Sequence, residues 1–356
     1  MQISQKVNRS MPGRPVLEIR GLHTQFRAGA KTINAVRGVD LTIGEGEIVG
    51  LVGESGSGKS VLALSLLRLV QSPGSIVAGE ILLEGNDLLQ MPERNLANIR
   101  GRAISIIFQQ PQSCLNPVKR IGWQVAEPLM QQKRMRRGEA WTEAVALLKS
   151  VGIPGPEEKA FAYPHQLSGG QAQRVMIAIA LALKPKLLIA DEPTTALDVT
   201  IQAQILDLLR DRCRRDGTSL LLVTHDLGVV ARLADRVAVM YAGQIVEHGP
   251  VEAILRHPQH PYTRGLLNAA PHLGMSKSSR LRDIPGTIPN LAESPPGCVF
   301  APRCERRVRL LVPECTELMP PMHALGDNQY ARCWRPLDEG RPEGGTTPTG
   351  IERGAA

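Results

Sequence analysis

Apolar and polar positions follow two patterns along this chain, and each pattern predicts a different kind of β-strand. Between residues 16 and 52, short apolar stretches alternate with polar residues and glycine turns, which predicts an antiparallel β-layer. Four stretches are almost continuously apolar, at 48–52, 103–108, 187–190 and 220–223. Such strands are typical of a parallel sheet that is covered on both faces. The patterns therefore predict an α/β protein with an antiparallel β subdomain.

The pattern changes again in the second half of the chain. Residues 119–160 become charged and helical, which predicts a helical insertion, and frequent prolines begin after Pro250. The residues after 335 are rich in Gly, Pro, Thr and Glu without periodicity, which is typical of disorder. The predicted segments are an N-terminal tail at 1–15, a main domain at 16–250, a helical subdomain within it at about 110–180, a small C-terminal extension at 251–335 and a disordered tail at 336–356.

One glycine-rich stretch carries the clearest chemistry. GESGSGKS follows the apolar strand at 48–52 and precedes an apolar helix that begins near Val61. Strand, glycine-rich loop and helix are the context of a P-loop, in which backbone N–H groups and the helix N-terminus bind phosphates. We expect Lys59 to reach the β- and γ-phosphates and the Ser60 hydroxyl to ligate Mg²⁺. The predicted nucleotide contacts are Gly53, Glu54, Ser55, Gly56, Ser57, Gly58, Lys59 and Ser60.

Polar side chains follow three other apolar strands. Gln109 ends the first, Asp191 and Glu192 end the second, and His225 lies just after the third. Because the carboxyl ends of parallel strands meet at one edge of a sheet, we expect these side chains beside the P-loop. Asp191 would hold the Mg²⁺ shell, and Glu192 would polarise a water for attack on the γ-phosphate. An acidic helix cap and a structural histidine are the alternatives, and the neighbouring P-loop favours catalysis.

Two further features concern nucleotide binding. Ser168, Gly169 and Gly170 leave backbone N–H groups free where a helix begins at Gln171, which predicts a second anion-binding helix N-terminus. Phe26 is the only aromatic residue before the P-loop and is therefore the candidate to stack on adenine. An ordinary core or strand phenylalanine is the alternative.

Composition and charge narrow the class of protein. The longest apolar run, at 175–183, is far shorter than the ~20 residues that a membrane-spanning helix needs. Residues 1–15 contain no apolar segment typical of a secretory signal, so we expect a cytosolic chain. A net charge of +8 allows nucleic-acid binding. No basic patch or aromatic stacking module accompanies that charge, so no nucleic-acid partner is expected.

Taken together over residues 16–250, these motifs resemble the ATP-binding-cassette (ABC) ATPases. They are, in chain order, GESGSGKS at 53–60, Gln109, LSGGQ at 167–171, LLIADE at 187–192, ALD at 196–198 and His225. The resemblance implies a P-loop NTPase fold and ATP hydrolysis, with Glu192 as general base and His225 as sensor of the γ-phosphate. It also implies that Ser60, Gln109 and Asp191 hold Mg²⁺, and that Gln109 links the nucleotide to a membrane partner.

The resemblance also predicts an assembly. In this family the LSGGQ element of one domain closes over ATP held by the P-loop of another. Two composite sites are therefore implied in a dimer, in which Ser168, Gly169, Gly170, Gln171 and Asp198 contribute to nucleotide binding.

Residues 251–335 look like the C-terminal extension of the oligopeptide/dipeptide import ATPases. The matching stretches are 257–263, 284–290 and 297–304. That resemblance implies a peripheral ATPase on the cytoplasmic face of the bacterial inner membrane that powers peptide import. Its implied partners are two transmembrane permease subunits, a second and different ATPase chain, and an extracytoplasmic solute-binding protein. A soluble cassette ATPase of translation or DNA repair, and an importer of a nickel chelate or glutathione, remain alternatives.

Four of the six cysteines lie in this extension, and they are Cys298, Cys304, Cys315 and Cys333. Four thiolates suit either tetrahedral Zn²⁺ or a [4Fe–4S] cluster, and their spacing does not choose between the two. Four reduced thiols are the third alternative. Some members of the resembled family carry an iron–sulfur cluster here, so the resemblance favours a structural [4Fe–4S] cluster.

Overall fold

The computed structural model describes residues 15–29, 31–195, 197–269, 284–292 and 295–337. Residues 1–14, residues 338–356 of the disordered tail predicted at 336–356, and Ala196 of the ALD motif lie outside the described residues. So do residues 270–283 of the proline-rich stretch.

The strands of the described residues are, in chain order, β1 (Pro15–Ala28), β2 (Lys31–Gly44), β3 (Ile48–Val52), β4 (Gly74–Leu83), β5 (Asn86–Asp87), β6 (Ile104–Ile107), β7 (Leu187–Asp191), β8 (Ser219–Thr224), β9 (Arg236–Tyr241), β10 (Gln244–Pro250), β11 (His323–Ala324) and β12 (Tyr330–Ala331). The α-helices are α1 (Lys59–Leu66), α2 (Glu93–Ile99), α3 (Pro111–Cys114), α4 (Ile121–Gln132), α5 (Arg137–Ser150), α6 (Pro156–Lys159), α7 (Gly169–Leu181), α8 (Val199–Asp216), α9 (Leu227–Leu233), α10 (Val251–Arg256), α11 (Pro261–Ala269), α12 (Glu305–Leu310) and α13 (Glu314–Glu317).

The predicted antiparallel layer is a four-stranded sheet in the order β2-β1-β4-β5. Leu17 lies opposite Ile43 on one side and Leu83 on the other, and all three side chains are buried. Alternate residues of a strand point to opposite faces, so this register buries one apolar face of the sheet. The alternating pattern in the sequence therefore has its expected structural cause.

The second sheet contains the continuously apolar strands. Its order is β11-β12-β10-β9-β3-β8-β7-β6, and the five strands from β9 to β6 are parallel. Every residue of β3, β7 and β8 is buried, as expected for a parallel sheet covered on both faces. The carboxyl ends of β3, β6, β7 and β8 therefore share one edge, which is where the candidate site lies.

The helical insertion is present. Helices α4 and α5 pack against each other and against α7, and the Trp123 and Trp141 rings lie 4.6 Å apart. Leu129 and Leu148 are fully buried within this insertion. None of the helices in the described ranges is long and apolar enough to cross a membrane.

The C-terminal extension continues the main sheet, because β12 pairs with β10 and β11 pairs with β12. The fully buried Glu247 carboxylate, on β10, joins the main sheet to the C-terminal extension through hydrogen bonds. It accepts hydrogen bonds from the backbone N–H groups of Gln259 (2.7 Å) and His260 (2.9 Å) and from the side-chain amide of Gln329 (2.8 Å). A buried carboxylate needs such donors, so the extension is attached to the sheet by polar as well as apolar contacts.

Candidate functional site

The P-loop connects β3 to α1 with the geometry that the sequence predicts. Gly58 precedes α1 with a φ of +103°, and a Cβ added there would lie 2.3 Å from the Ala35 carbonyl oxygen. Only glycine fits this position. The Lys59 ammonium donates hydrogen bonds of 2.8 Å to the carbonyl oxygens of Gly53 and Glu54. These two hydrogen bonds hold the Lys59 ammonium against the backbone of the loop.

The two oxygen groups predicted to hold Mg²⁺ lie side by side. The Ser60 hydroxyl donates a 3.1 Å hydrogen bond to the Asp191 carboxylate, across 131 residues of sequence. Burial raises the pKa of Asp191, as does the charge of Glu192, against the opposing effects of Ser60 and Lys59. Hydroxyl and carboxylate oxygens are hard ligands, so this pair fits Mg²⁺. Gln109, the third predicted ligand, instead donates its amide to Glu192.

Glu192 has three side-chain partners in the site. Its carboxylate accepts hydrogen bonds from the Gln109 amide (2.9 Å) and the Thr195 hydroxyl (2.9 Å), and it lies 3.2 Å from His225 Nδ1. Its backbone adopts a φ of +45°, a strained conformation for a side chain of this size and one that often marks a functional site. The structure around the end of β7, rather than the usual backbone preference of a glutamate, therefore sets the direction of this carboxylate.

The surroundings of Glu192 keep it ionised. Burial by itself raises the pKa of this carboxyl, but hydrogen bonds from Thr195 and His225 and the charges of His225 and Lys59 lower it below its usual value. Burial also lowers the pKa of Lys59, against the carboxylates around it. Thr195 was not predicted from the sequence. The sequence signal for a contact with Glu192 was the position of Thr195, three residues later in the turn that follows the strand.

The P-loop opens onto a cavity of about 620 Å³, a size within the range of roughly 300–1,000 Å³ usual for small-molecule sites. The polar lining comes from the P-loop, Gln109, Glu192 and His225. The apolar lining includes Leu266 and Leu291, both from the C-terminal extension, which sequence reasoning had not connected with the nucleotide.

The adenine-stacking role of Phe26 stays a prediction. Of the described residues, those that line the cavity do not include Phe26, which pairs with Ile33 and Gly74 within the antiparallel sheet. Its ring packs so closely over Gly74 that an added Cβ would lie 2.5 Å from it. Phe26 therefore lies in the antiparallel sheet, and among the described residues the apolar lining of the cavity comes from Ala35, Val61, Leu266 and Leu291.

The predicted second anion site lies on an exposed helix N-terminus. The Ser168 hydroxyl accepts the backbone N–H of Gln171 (3.3 Å), and the Gln171 side chain accepts the backbone N–H of Ser168 (3.2 Å). This capping box starts α7, and Ser168 and Gly169 are exposed. Asp198 caps α8 in a similar way, through the N–H of Ile201 (2.9 Å). Within the described part of the chain, none of these residues lines the P-loop cavity of its own chain.

None of the four cysteines of the extension forms a disulfide bond in the described part of the chain. Burial first, and then the charges of the neighbouring cysteines, raise the pKa of Cys298 to about 11 and that of Cys333 to about 12. Among the described residues, no three Cys, His, Asp or Glu side chains form a group that could hold a metal ion. The sequence-based prediction of a [4Fe–4S] cluster is therefore not supported by the side-chain geometry of the described residues.

Comparison with known proteins agrees with this site. The family described as ABC transporter matches residues 36–195, and the one described as oligopeptide/dipeptide transporter, C-terminal region, matches residues 246–309. The oligopeptide transport ATP-binding protein AppD of Bacillus subtilis is 49% identical over 326 residues, covering 91% of this chain and 98% of AppD. The corresponding protein OppD of the same organism is 48% identical, covering 90% of this chain and 88% of OppD.

The fold has a solved counterpart as well. The dimeric structure of MJ0796, a bacterial ABC transporter cassette, superposes with a TM-score of 0.60 at 32% identity. The match covers 66% of this chain and 98% of that one. By its sequence, its fold and the groups gathered at its P-loop, this chain belongs to the ATP-hydrolysing subunits of ABC transporters, in the branch that carries the oligopeptide/dipeptide transporter C-terminal region.

Proposed function

We propose that this chain hydrolyses ATP to power the import of peptides, of dipeptide or oligopeptide size, through a membrane permease. The observation that carries the catalytic part is the position of Glu192 beside the P-loop, ionised and bonded to Gln109, Thr195 and His225. The peptide cargo is supported by the names of AppD and OppD and by the match at residues 246–309.

In this proposal the chain's own residues divide the chemistry of hydrolysis. The P-loop N–H groups and Lys59 bind the phosphates, and Glu192 orients a water and accepts its proton as that water attacks the γ-phosphorus. His225 holds Glu192 in place and contacts the γ-phosphate. Ser60 and Asp191 would hold Mg²⁺, which supplies charge neutralisation at the phosphates when bound.

The exposed LSGGQ segment supports a composite site. Ser168 and Gly169 present an anion-binding helix N-terminus to solvent, away from the cavity of their own chain. A second ATPase chain, different from this one, would receive this segment over its own nucleotide. Val199, next to Asp198, leaves 83% of its surface exposed, which suits a residue that such a partner covers.

The other proposed partners are two transmembrane permease subunits and, through the complex, an extracytoplasmic solute-binding protein. The chain would be peripheral, on the cytoplasmic face of the bacterial inner membrane. Gln109 is suited to pass motion between the permease and the nucleotide site. Its side chain contacts Glu192, and it lies two residues before α3, where the helical insertion begins.

Purification of the tagged chain from detergent-solubilised membranes tests this function. We expect two transmembrane proteins and a second ATPase chain to purify with it, and the reconstituted complex with its solute-binding protein to import labelled peptides. A nickel chelate and glutathione are the matched alternative cargoes. Ribosomal or DNA-associated partners, with no transmembrane protein, would instead favour the soluble ATPase class.

A further inference from the structure

One P-loop residue, Glu54, is held from two sides by the C-terminal extension. The Arg303 guanidinium donates two hydrogen bonds to its carboxylate, from Nη1 to Oε2 (2.6 Å) and from Nη2 to Oε1 (3.1 Å). On the backbone side, the Glu54 N–H donates to the phenol oxygen of Tyr262 (2.8 Å). Arg303 and Glu54 are 249 residues apart in the sequence.

The ion pair differs from an ordinary surface pair in burial and geometry. The Arg303 side chain is 5% exposed and that of Glu54 is 26% exposed. The remaining donors of the guanidinium reach the carbonyl oxygens of Pro285 (2.8 Å) and Ile284 (2.9 Å) and the phenol oxygen of Tyr241 (3.5 Å). A planar fork with every direction occupied has one orientation, so it fixes its carboxylate more firmly than a lysine could.

An aromatic cluster packs beside the contacts that Arg303 and Tyr262 make with Glu54. The rings of Tyr241 and Tyr262 lie 4.5 Å apart, and Phe300 lies 5.3 Å from the first and 5.5 Å from the second. Phe300 comes three residues before Arg303, in the turn that carries it. Tyr241 and Tyr262 are fully buried, so the base of this contact is rigid.

Glu54 is in turn connected to the phosphate-binding lysine. Its carbonyl oxygen accepts one of the hydrogen bonds of Lys59, so any shift of Glu54 moves an anchor of that ammonium. The extension approaches the same cavity at Leu291, whose carbonyl oxygen accepts the N–H of Asn34 (3.3 Å). A chain of direct contacts therefore runs from the extension to the group that would meet the phosphates.

We propose that Arg303 and Tyr262 are positioning residues for ATP binding, through which the C-terminal extension holds the P-loop in its phosphate-binding shape. This inference rests on the proposed function in ATP hydrolysis. Holding the loop before the nucleotide arrives removes an ordering cost from binding, so the benefit falls on nucleotide affinity rather than on the chemical step.

The test compares nucleotide binding by full-length variants, measured with a fluorescent ATP analogue. Arg303→Gln is expected to raise the Kd for the nucleotide on the order of tenfold, since loop misplacement weakens phosphate contacts. Arg303→Lys should recover only part of the affinity, because a point charge cannot reproduce the fork. Tyr262→Phe, which removes the acceptor of the Glu54 N–H, should raise Kd as well.

Arg332→Gln is the matched control. Arg332 is an arginine of the same extension that bonds to the carbonyl oxygens of Ile245 and Pro320, away from the P-loop. We expect it to leave Kd unchanged, whatever its effect on thermal stability. In the assembled transporter, Arg303→Gln should raise the KM for ATP and leave kcat nearly unchanged, which a purely structural contact would not predict.

Glu54→Gln completes a double-mutant cycle and covers the case in which Arg303→Gln does not fold. The single changes at Glu54 and Arg303 should each raise Kd, and the double change should add little more. Equal Kd values for wild type, Arg303→Gln and Glu54→Gln, or fully additive effects, would overturn the positioning role. Absence of nucleotide binding by the wild-type chain would instead overturn the proposed function itself.

Discussion

The amide of Gln109 donates a 2.9 Å hydrogen bond to the carboxylate of Glu192, although 83 residues separate them in the sequence. Gln109 lies between the end of β6 and the first helix of the insertion, and Glu192 follows the end of β7. A movement of the helical insertion would therefore change the contacts of the candidate base directly. In the proposed function, this contact would let a partner bound at the insertion control hydrolysis.

Replacement of the candidate base gives the first prediction. Glu192→Gln should retain nucleotide binding and reduce ATP turnover by roughly 10²-fold or more, because the amide cannot accept the proton of the attacking water. The measurement is phosphate release by the assembled transporter. Glu252→Gln, at an exposed carboxylate on α10, is the control and should keep the wild-type rate. Wild-type turnover by Glu192→Gln would exclude this residue as the base.

The composite site predicts a pattern between two chains. Ser168→Arg on this chain should disable the nucleotide site built on the partner's P-loop and spare the site on its own P-loop. Combined with a P-loop mutation in the partner, it should therefore leave one working site, because both lesions fall in the other. Nucleotide trapping that shows equal loss at both sites would contradict the assignment of LSGGQ to the partner's nucleotide.

The apolar lining of the cavity gives a prediction for base recognition. Leu291→Ala should raise the Kd for ATP by about three- to tenfold, since it removes apolar surface that a bound base would cover. Phe26→Leu is the matched comparison, and we expect it to leave Kd within about twofold because its ring packs on Gly74 instead. The opposite order of effects would support the predicted adenine-stacking role of Phe26.

A buried histidine predicts how stability depends on pH. Burial lowers the pKa of His260 from 6.5 to about 3 in the folded chain, so between these values the unfolded chain binds more protons than the folded one. The contribution of His260 to the free energy of unfolding must therefore fall as pH falls through this window. His260→Asn keeps an acceptor for the N–H of Tyr262. Between pH 6.5 and about pH 5, the free energy of unfolding of this variant should fall by about 2 kcal/mol less than that of the wild type.

The neighbouring Glu247 acts in the opposite direction. Burial raises its pKa, so its contribution to the free energy of unfolding falls as pH rises, and it is present in both proteins of the comparison. His257→Gln is the control, because His257 is exposed, and it should keep the wild-type pH profile. The measurement is denaturant unfolding across the pH range. Identical pH slopes for wild type and His260→Asn would show that His260 does not carry the effect.

The cysteines of the extension predict a pattern of thiol reactivity. Because the thiolate is the reactive form, Cys298 and Cys333, with pKa values of about 11 and about 12, should react slowly at neutral pH. The exposed Cys114 should react first. Titration with a thiol reagent, before and after denaturation, counts both classes. A brown protein with broad absorbance near ~400 nm would instead restore the predicted iron–sulfur cluster.

The sequence determined those parts of the site that depend on neighbours in the chain. A P-loop is built from eight consecutive residues between a strand and a helix, so its position and its phosphate-binding role follow from the local order alone. The same applies to the capping box at Ser168. The gathering of Gln109, Glu192 and His225 also followed, because parallel strands bring their carboxyl ends to one edge.

The tertiary structure alone decided which distant side chains complete the site. No local pattern distinguishes Arg303 from the other arginines near it, and its carboxylate partner becomes visible only when the extension packs against the P-loop. Leu291 lines the cavity, whereas Phe26 lies in the antiparallel sheet outside that lining. Strand register and the packing of the extension, rather than residue type, set these two positions. Contacts across more than 200 residues depend on how whole elements pack, which residue order does not encode locally.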